Sequence, residues 1–187
     1  GKIMSNVKRL INASKSEINK MGPLELKESI YKSEGRVIMG QHLIFAGPGT
    51  VMGVTNAELL CSFGADMVML NTIDLDNFEN NPGLCGLTIK ELKEKCNCPI
   101  GVYLGCPKKG EKRSDEKTLY RLAGMLATKE HILKAVALGV DFIVLGGNPG
   151  SGTSIEDVIE ATKLVKEICG DDIFLFAGKW EDGIEEK

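Results

Sequence analysis

The chain has 187 residues, which suits one domain, and its 43% hydrophobic and 26% charged residues are typical of a globular protein. A formal net charge of −3 without an offsetting basic cluster argues against a nucleic-acid partner. The sequence shows no signal-peptide pattern and no apolar run of the roughly 20 residues that a membrane span needs. We therefore expect a cytoplasmic protein with no membrane partner.

The first part of the chain, residues 1–35, predicts two short helices. Apolar residues recur there at helical spacing in two stripes, which are Val7, Leu10 and Ile11, and then Leu24, Leu26, Ile30 and Tyr31. After Gly35 the pattern changes to alternating strands and helices. We therefore divide the chain into an N-terminal helical segment, 1–35, and a βα-repeat domain, 36–187.

Five strands alternate with helices in the second part. Strands are predicted within 36–47 and at 66–71, 98–105, 141–147 and 172–179. Helices are predicted at 55–64, 88–96 and 153–170, with two more between 115 and 139. Three of them begin with capping-box spacing, namely Thr55 with Glu58, Thr88 with Glu91 and Thr153 with Glu156. The strands are continuous apolar runs, which is typical of a parallel sheet covered on both faces.

Two of these units resemble each other. Each has a helix, a glycine, one further residue, an aspartate and then an apolar strand, with Gly64 and Asp66 in the first unit and Gly139 and Asp141 in the second. Repetition of one βα unit favours a TIM-type barrel over a doubly wound sheet. Such a barrel has eight strands, so five strands predict a partial barrel, and we expect the chain to be the front part of a longer protein.

The stretch from Gly147, G-N-P-G-S-G-T-S, resembles the P-loop pattern G-x-x-x-x-G-K-[ST], but Thr153 stands where the lysine belongs. The stretch also follows the fourth strand, whereas a P-loop usually follows the first. We interpret it instead as an anion cradle formed by Gly147, Asn148, Gly150, Gly152 and Thr153 at the start of a helix. The alternative is a plain turn.

Polar residues at other strand ends add candidates for the same site. Gln41 lies near the end of the first strand and Asn71 ends the second; both face the predicted ligand edge. Asp74 and Asp76 suit a hard cation such as Mg²⁺, or form an Asp-rich solvated turn. Lys179 ends the fifth strand as an anion anchor, a Schiff-base amine or a surface lysine.

The remaining chemistry-bearing residues predict no site. The close pair Cys96 and Cys98 is C-N-C and not C-x-x-C, so we expect all six cysteines to be reduced thiols. His42, in an apolar stretch, is predicted to be a satisfied core histidine, and His131, among charges on a helix, to be exposed. The short basic run at 108–113 is interpreted as a solvated loop, with phosphate binding as the alternative.

The segments "EGRVIMGQ", "VTNAELLCSFGADMVMLN", "GVDFIVLGGNPGSGTS" and "FLFAGK" together resemble a bacterial family of TIM-barrel proteins labelled phosphoenolpyruvate phosphonomutase-like. The resemblance covers most of residues 5–180. It implies a Mg²⁺-dependent barrel that makes or breaks C–C or P–C bonds next to a carboxylate. The D-x-D-x-G metal stretch of that superfamily is incomplete here, because Asn77 follows Asp76 and no glycine comes next.

Three functions follow as hypotheses. The first is a lyase or mutase acting on a small phosphorylated or carboxylated metabolite, with Asn71 and Asp74 polarising the reacting group and Lys179 balancing its charge. The second is a phosphate-binding barrel with aldolase, hydrolase or isomerase chemistry at Lys179. The third is a non-catalytic metabolite-binding protein. Because a partial barrel exposes two sheet edges, we also expect a homo-oligomer.

Overall fold

A five-stranded parallel β-sheet forms the centre of the protein. The computed structural model describes residues 7–44, 54–111, 123–147 and 152–179. The strands are Met39–Leu43 (β1), Met67–Asn71 (β2), Ile100–Gly105 (β3), Phe142–Gly147 (β4) and Phe174–Lys179 (β5). Neighbouring strands are parallel and lie in sequence order, β1-β2-β3-β4-β5. The α/β class and the predicted alternation of strands and helices are confirmed.

Six α-helices accompany the sheet. They are Lys15–Ile18 (α1), Pro23–Lys32 (α2), Asn56–Ser62 (α3), Ile89–Cys96 (α4), Lys129–Ala137 (α5) and Ile155–Cys169 (α6) among the described residues. The capping boxes predicted at Thr55 and Thr88 are confirmed. The third box was predicted one residue too early, because Ser154 and Asp157 form it. Thr153 is instead 3% exposed, and its hydroxyl donates to the Cys106 carbonyl at 3.5 Å.

The repeated Gly-x-Asp turn has the same function in both units. Gly64 and Gly139 have φ of +102° and +82°, the left-handed region that favours glycine at the end of a helix. The side chain of the following aspartate accepts a hydrogen bond from a backbone N–H at the start of the neighbouring strand. Ile38, just before β1, donates to Asp66 at 2.8 Å, and Ile100, the first residue of β3, donates to Asp141 at 2.9 Å. Each turn therefore ends a helix and also ties its strand to the neighbouring one.

Two hydrophobic cores lie on the two faces of the sheet. The helices α3–α6, which connect successive strands, pack on one face, here called the crossover face, against residues such as Leu70, Val102 and Leu145. The N-terminal helices pack on the opposite face, where Leu10 and Leu26 contact a cluster containing Met69, Tyr103 and Phe142. The predicted N-terminal segment therefore shares a core with the sheet.

A row of glycines crosses the opposite face near the ends of three strands. Gly105 pairs with Gly146, and Gly146 pairs with Gly178. Because side chains alternate along a strand, these glycines lie on the same face as Tyr103 and Val144, which precede two of them by two residues. A Cβ added at Gly178 would meet no atom within 4 Å. Gly105 and Gly146 are buried and Gly178 is exposed, so the row is open to solvent only at Gly178.

The helices predicted between 115 and 139 are only partly tested. Residues 112–122 lie outside the described part, Ala123–Met125 form a 3-10 turn, and α5 accounts for the second helix. None of the described helices has the length and apolar character that crossing a membrane requires.

Candidate functional site at the carboxyl edge

The carboxyl ends of all five parallel strands meet at one edge of the sheet, here called the carboxyl edge. Asn71 ends β2, Gly147 ends β4 and Lys179 ends β5, where it pairs with Gly147. Gln41 pairs with Met69, two residue pairs before the Leu43–Asn71 pair that ends β1 and β2, and its side chain is exposed. The sequence prediction therefore brought these residues to the correct edge. Asn148 and Gly150 lie outside the described residues.

Asn71 is held in place by the residue that follows it. Its side-chain Oδ1 accepts the Thr72 N–H at 2.7 Å, and the Thr72 hydroxyl donates to the Asn71 carbonyl at 2.6 Å. Both side chains are buried, with exposures of 5% and 2%. Thr72 has φ of +57°, a conformation that is unfavourable for a β-branched residue. Strained backbone of this kind is concentrated at functional sites, which supports a ligand-facing position for Asn71.

Asp74 organises the loop after β2. Its Oδ1 accepts the backbone N–H groups of Asp76 at 2.9 Å and Asn77 at 3.1 Å, and its own N–H donates to Asn81 Oδ1 at 2.8 Å. The Asn81 amide returns a hydrogen bond to the Asp74 carbonyl at 3.0 Å. The loop is also joined to the segment after β3, because the Leu75 N–H donates to the Gly124 carbonyl at 3.0 Å.

Asp76 binds a histidine that sequence analysis placed wrongly. His131 is 5% exposed and not solvated; its Nε2 lies 2.7 Å from Asp76 Oδ1 and its Nδ1 lies 2.6 Å from the Leu126 carbonyl. Lys134 Nζ reaches the same Asp76 oxygen at 3.5 Å. Burial raises the pKa of Asp76, but the hydrogen bond and charge of His131, with those of Lys134, outweigh it and lower the pKa overall.

These partners leave a poor donor set for magnesium. Asp74 Oδ1 is already bound to two backbone N–H groups, and Asp76 Oδ1 to His131 and Lys134. Across residues 7–44, 54–111, 123–147 and 152–179, no group of three His, Cys, Asp or Glu side chains is placed to hold a metal. A metal role for Asp74 and Asp76 stays a prediction.

The glycine-rich segment is fixed at both of its described ends. A Cβ on Gly147 would lie 2.8 Å from Cβ of Thr153, so this position has room only for glycine. Gly152 has φ of +71°. The Thr153 side chain is buried at the carboxyl end of β3, where its hydroxyl donates a hydrogen bond to the carbonyl of Cys106. Thr153 therefore anchors the segment to the sheet, which is a different role from the ligand contact predicted for it.

A lysine from the loop after β3 lies beside the glycine-rich segment. A Cβ built on Gly152 would lie 3.5 Å from Nζ of Lys108 and 3.4 Å from its Cε. Lys108 follows β3 and is partly buried. The salt bridges within the described ranges do not include Lys108. The sequence analysis interpreted the basic run as a solvated loop. The contact could not be predicted because the lysine and the glycines are about 40 residues apart in the sequence.

The first turn of α6 offers less to an anion than the sequence suggested. The Ser154 N–H donates to Asp157 Oδ2 at 2.8 Å, and the Asp157 N–H donates to Ser154 Oγ at 3.1 Å. Glu156 and Asp157 also place two carboxylates in that turn, where they complement the helix dipole. A bound anion would therefore depend on Lys108 and the glycine backbone more than on the helix.

His42 is buried, as predicted, but its ring has no hydrogen-bond partner among the described residues. Its side chain is 2% exposed, and neither ring nitrogen has a hydrogen-bond partner in the part of the chain that the structure describes. Burial lowers the pKa of His42 to about 4, so the ring is neutral near pH 7. Its Nε2 lies close to Gly83, where a Cβ would approach it to 3.0 Å.

A comparison with known families gives one match. A family model described as Domain of unknown function (DUF7916) matches residues 11–187. Because the match covers most of the chain, the chain belongs to this family. A comparison with the curated proteins finds no match.

Proposed function

We propose that this member of the DUF7916 family is a TIM-barrel-type enzyme. The sheet order supports the barrel type, because the strands are parallel and sequential and their connecting helices lie on one face of the sheet. A doubly wound sheet reverses its strand order and has helices from both halves on its two faces. The five strands are then consecutive strands of a partial barrel, and the carboxyl edge is the ligand-binding end of that barrel.

The ligand of this edge is a small phosphorylated or carboxylated metabolite. The observation that carries the proposal is the ammonium of Lys108 beside Gly152, at the edge where Asn71 and the row of strand-end glycines also lie. A lysine ammonium next to a glycine backbone provides charge and unobstructed N–H groups, which together suit a phosphate or carboxylate. Gly147 and Gly152 are the described ends of the backbone part of this cradle.

The chemistry is that of a lyase or mutase related to the phosphonomutase-like barrels. Asn71 is buried and held by Thr72, so its amide has a fixed position from which to polarise a carbonyl or enolate oxygen. Lys108 and Lys179 balance the negative charge of the substrate. A Mg²⁺ ion bound near Asp74 and Asp76 would act as a Lewis acid and add positive charge at the reacting group.

A second candidate uses Lys179 as a Schiff-base amine in aldolase-type chemistry. The register favours it, because Lys179 ends β5 directly opposite Gly147, the first residue of the anion cradle. Borohydride trapping with a carbonyl substrate separates this chemistry from the first candidate. If neither reaction is found but the anion binds, the protein is a metabolite-binding barrel without catalysis.

Lys108→Ala is expected to weaken the binding of inorganic phosphate and phosphoenolpyruvate at least tenfold. Loss of one charge-assisted hydrogen bond removes about 1.5–3 kcal/mol, and about 1.4 kcal/mol is already a factor of ten. Isothermal titration calorimetry measures the affinities, and amide NMR follows Gly147 and Gly152. The matched control is Lys109→Ala, which removes an exposed neighbour of the same charge. Equal affinities for the two variants would contradict the assignment of Lys108.

The outer strands predict self-association. β1 and β5 are the outer strands of the described sheet, and beside β1 the apolar side chains Ile38 and Met39 are 61% and 37% exposed. We propose that a second copy of the chain covers these edges. Light scattering is expected to give a dimer mass or larger, and Ile38→Lys to shift it toward the monomer. A monomer mass for the unmodified chain at high concentration would refute this.

A further inference from the structure

A cavity of about 400 Å³ lies between helix α2 and the amino ends of the sheet. Ile30 and Tyr31 of α2 line one side of it. Met39, Met67 and Phe174, which are the first residues of β1, β2 and β5, line the other side. The two outer strands therefore contribute to one cavity. Because this cavity lies at the opposite end of the strands from the carboxyl edge, it is separate from the proposed anion cradle.

The walls of the cavity are almost wholly apolar and continue the core of that face of the sheet. The side chains shared by the core and the cavity are Ile30, Val37, Met67, Phe174 and Phe176. At the mouth, Met39 is 37% exposed and Tyr31 is 75% exposed, so the apolar surface reaches solvent. A cavity of about 300–1,000 Å³ with mainly hydrophobic and aromatic walls is typical of a small-molecule site.

The wall formed by β5 is held in place by aromatic packing. The Phe174 ring stacks on Phe142 at 5.2 Å between centroids and meets the edge of Phe176 at 5.4 Å. Phe142 and Phe176 also contact each other edge to face, at 5.9 Å. Because each ring contacts the other two, none of them turns easily into the cavity. A ligand would fill space that already exists, which lowers the entropic cost of binding.

The charge at the cavity has one sign. Lys27 of α2 is the only charged residue among the described residues that line it. The salt bridges within the described ranges do not include Lys27, whereas the nearby Glu34 is paired with Arg36 at 3.0 Å. An apolar cavity with one lysine and no carboxylate in its lining is complementary to a ligand with an alkyl chain and one negative charge.

We propose that this cavity binds an unbranched carboxylate of medium chain length. The alkyl chain lies against Met67, Phe174 and Phe176, and the carboxylate lies beside Lys27 at the mouth. Since Lys27 is exposed, its ion pair with the ligand adds little, and the chain provides most of the affinity. Each additional buried methylene is expected to tighten binding about three- to fourfold. A small polar anion without an alkyl chain has no partner for the apolar walls.

Titration of the full chain with hexanoate, octanoate, decanoate and dodecanoate, each below its micelle-forming concentration, tests the proposal. Isothermal titration calorimetry is expected to show affinity that rises with chain length and then levels off when the cavity is full. Methyl NMR of the methionines locates the site. Decanoate should shift the signals of Met39 and Met67 saturably and that of Met125, which does not line the cavity, much less. Inorganic phosphate should shift neither Met39 nor Met67, and decanoate binding without saturable shifts at these two would overturn the proposal.

Two variants separate the contributions of the chain and the charge. Val37→Trp places a larger side chain in the cavity and is expected to weaken decanoate binding at least about tenfold, with folding checked by circular dichroism. Lys27→Ala should weaken decanoate binding about two- to fivefold and leave decanol binding unchanged. Lys20→Ala, which removes an exposed lysine outside the cavity, is the matched control. Unchanged affinity in a folded Val37→Trp variant would overturn the site.

Light scattering distinguishes a ligand cavity from a contact between copies of the chain. The mass of the protein is expected to stay the same when decanoate saturates the methionine signals. If decanoate instead dissociates an oligomer, a second copy occupies the cavity and the proposal of a small-molecule ligand is wrong. If Val37→Trp does not fold, the methionine shifts of the unmodified chain decide the question.

Discussion

Gly101→Ala is expected to lower the free energy of unfolding by about 3 kcal/mol, near the upper end of the range for overpacked cores. A Cβ at Gly101 would lie well inside van der Waals distance of the Phe142 ring. That ring cannot move aside easily, because it stacks on Phe174 at 5.2 Å and meets the edge of Phe176 at 5.9 Å between centroids. Thermal unfolding is expected to shift downward by roughly 10 °C.

Gly178→Ala is the matched control for this substitution. Gly178 also lies in a strand, but a Cβ there would meet no atom within 4 Å, so we expect a change within about 0.5 kcal/mol. A double variant, Gly101→Ala with Phe142→Leu, should recover part of the lost free energy of unfolding, because the smaller leucine leaves room for the new Cβ. Urea unfolding followed by circular dichroism measures all three variants. If Gly101→Ala and Gly178→Ala are equally stable, the ring contact does not limit position 101.

The sequence predicted the alternation of strands and helices because the relevant signals are local. Continuous apolar runs mark strands buried on both faces, and Thr55 with Glu58 at capping-box spacing marks a helix start within four residues. The Gly-x-Asp repeat also predicted a helix end followed by a strand, because the positive φ of the glycine is a local property of the turn. The Thr153 box failed because burial of that side chain against Cys106, a contact across 47 residues, overrode the local pattern.

The candidate site was only partly predictable for the same reason. Strand-end positions such as Asn71 follow from parallel topology, which places all carboxyl ends at one edge. The Lys108–Gly152 contact and the His131–Asp76 pair join segments 44 and 55 residues apart in the sequence. His131 was predicted exposed from its charged neighbours in sequence, but it lies on the buried stripe of α5 together with Ile132 and Ala135. Nothing in the spacing of these residues indicates which loops meet.

His131→Leu is expected to lower the free energy of unfolding by about 2–3 kcal/mol. The substitution leaves the Leu126 carbonyl without the imidazole donor, and an unpaired buried acceptor destabilises by about 1–3 kcal/mol. It also frees Asp76 from its closest partner, so the loop after β2 loses its link to α5. Urea unfolding at pH 7 measures the loss.

The contribution of Asp76 to the free energy of unfolding can be measured from its dependence on acidic pH. The pKa of Asp76 is lowered in the folded protein, so its stabilisation is fully present above the ordinary carboxyl range near pH 4 and is lost as the pH falls through the lowered value. The gap between the unmodified chain and Asp76→Asn should therefore narrow below about pH 4. Lys134→Ala, on the exposed side of the same carboxylate, is the matched control and should change this pH dependence only slightly, because Lys134 is a more distant and more exposed partner of Asp76 than His131. If His131→Leu behaves like Lys134→Ala, the histidine contributes no more than a surface charge, and the loop after β2 is held by Asp74 and Asn81 alone.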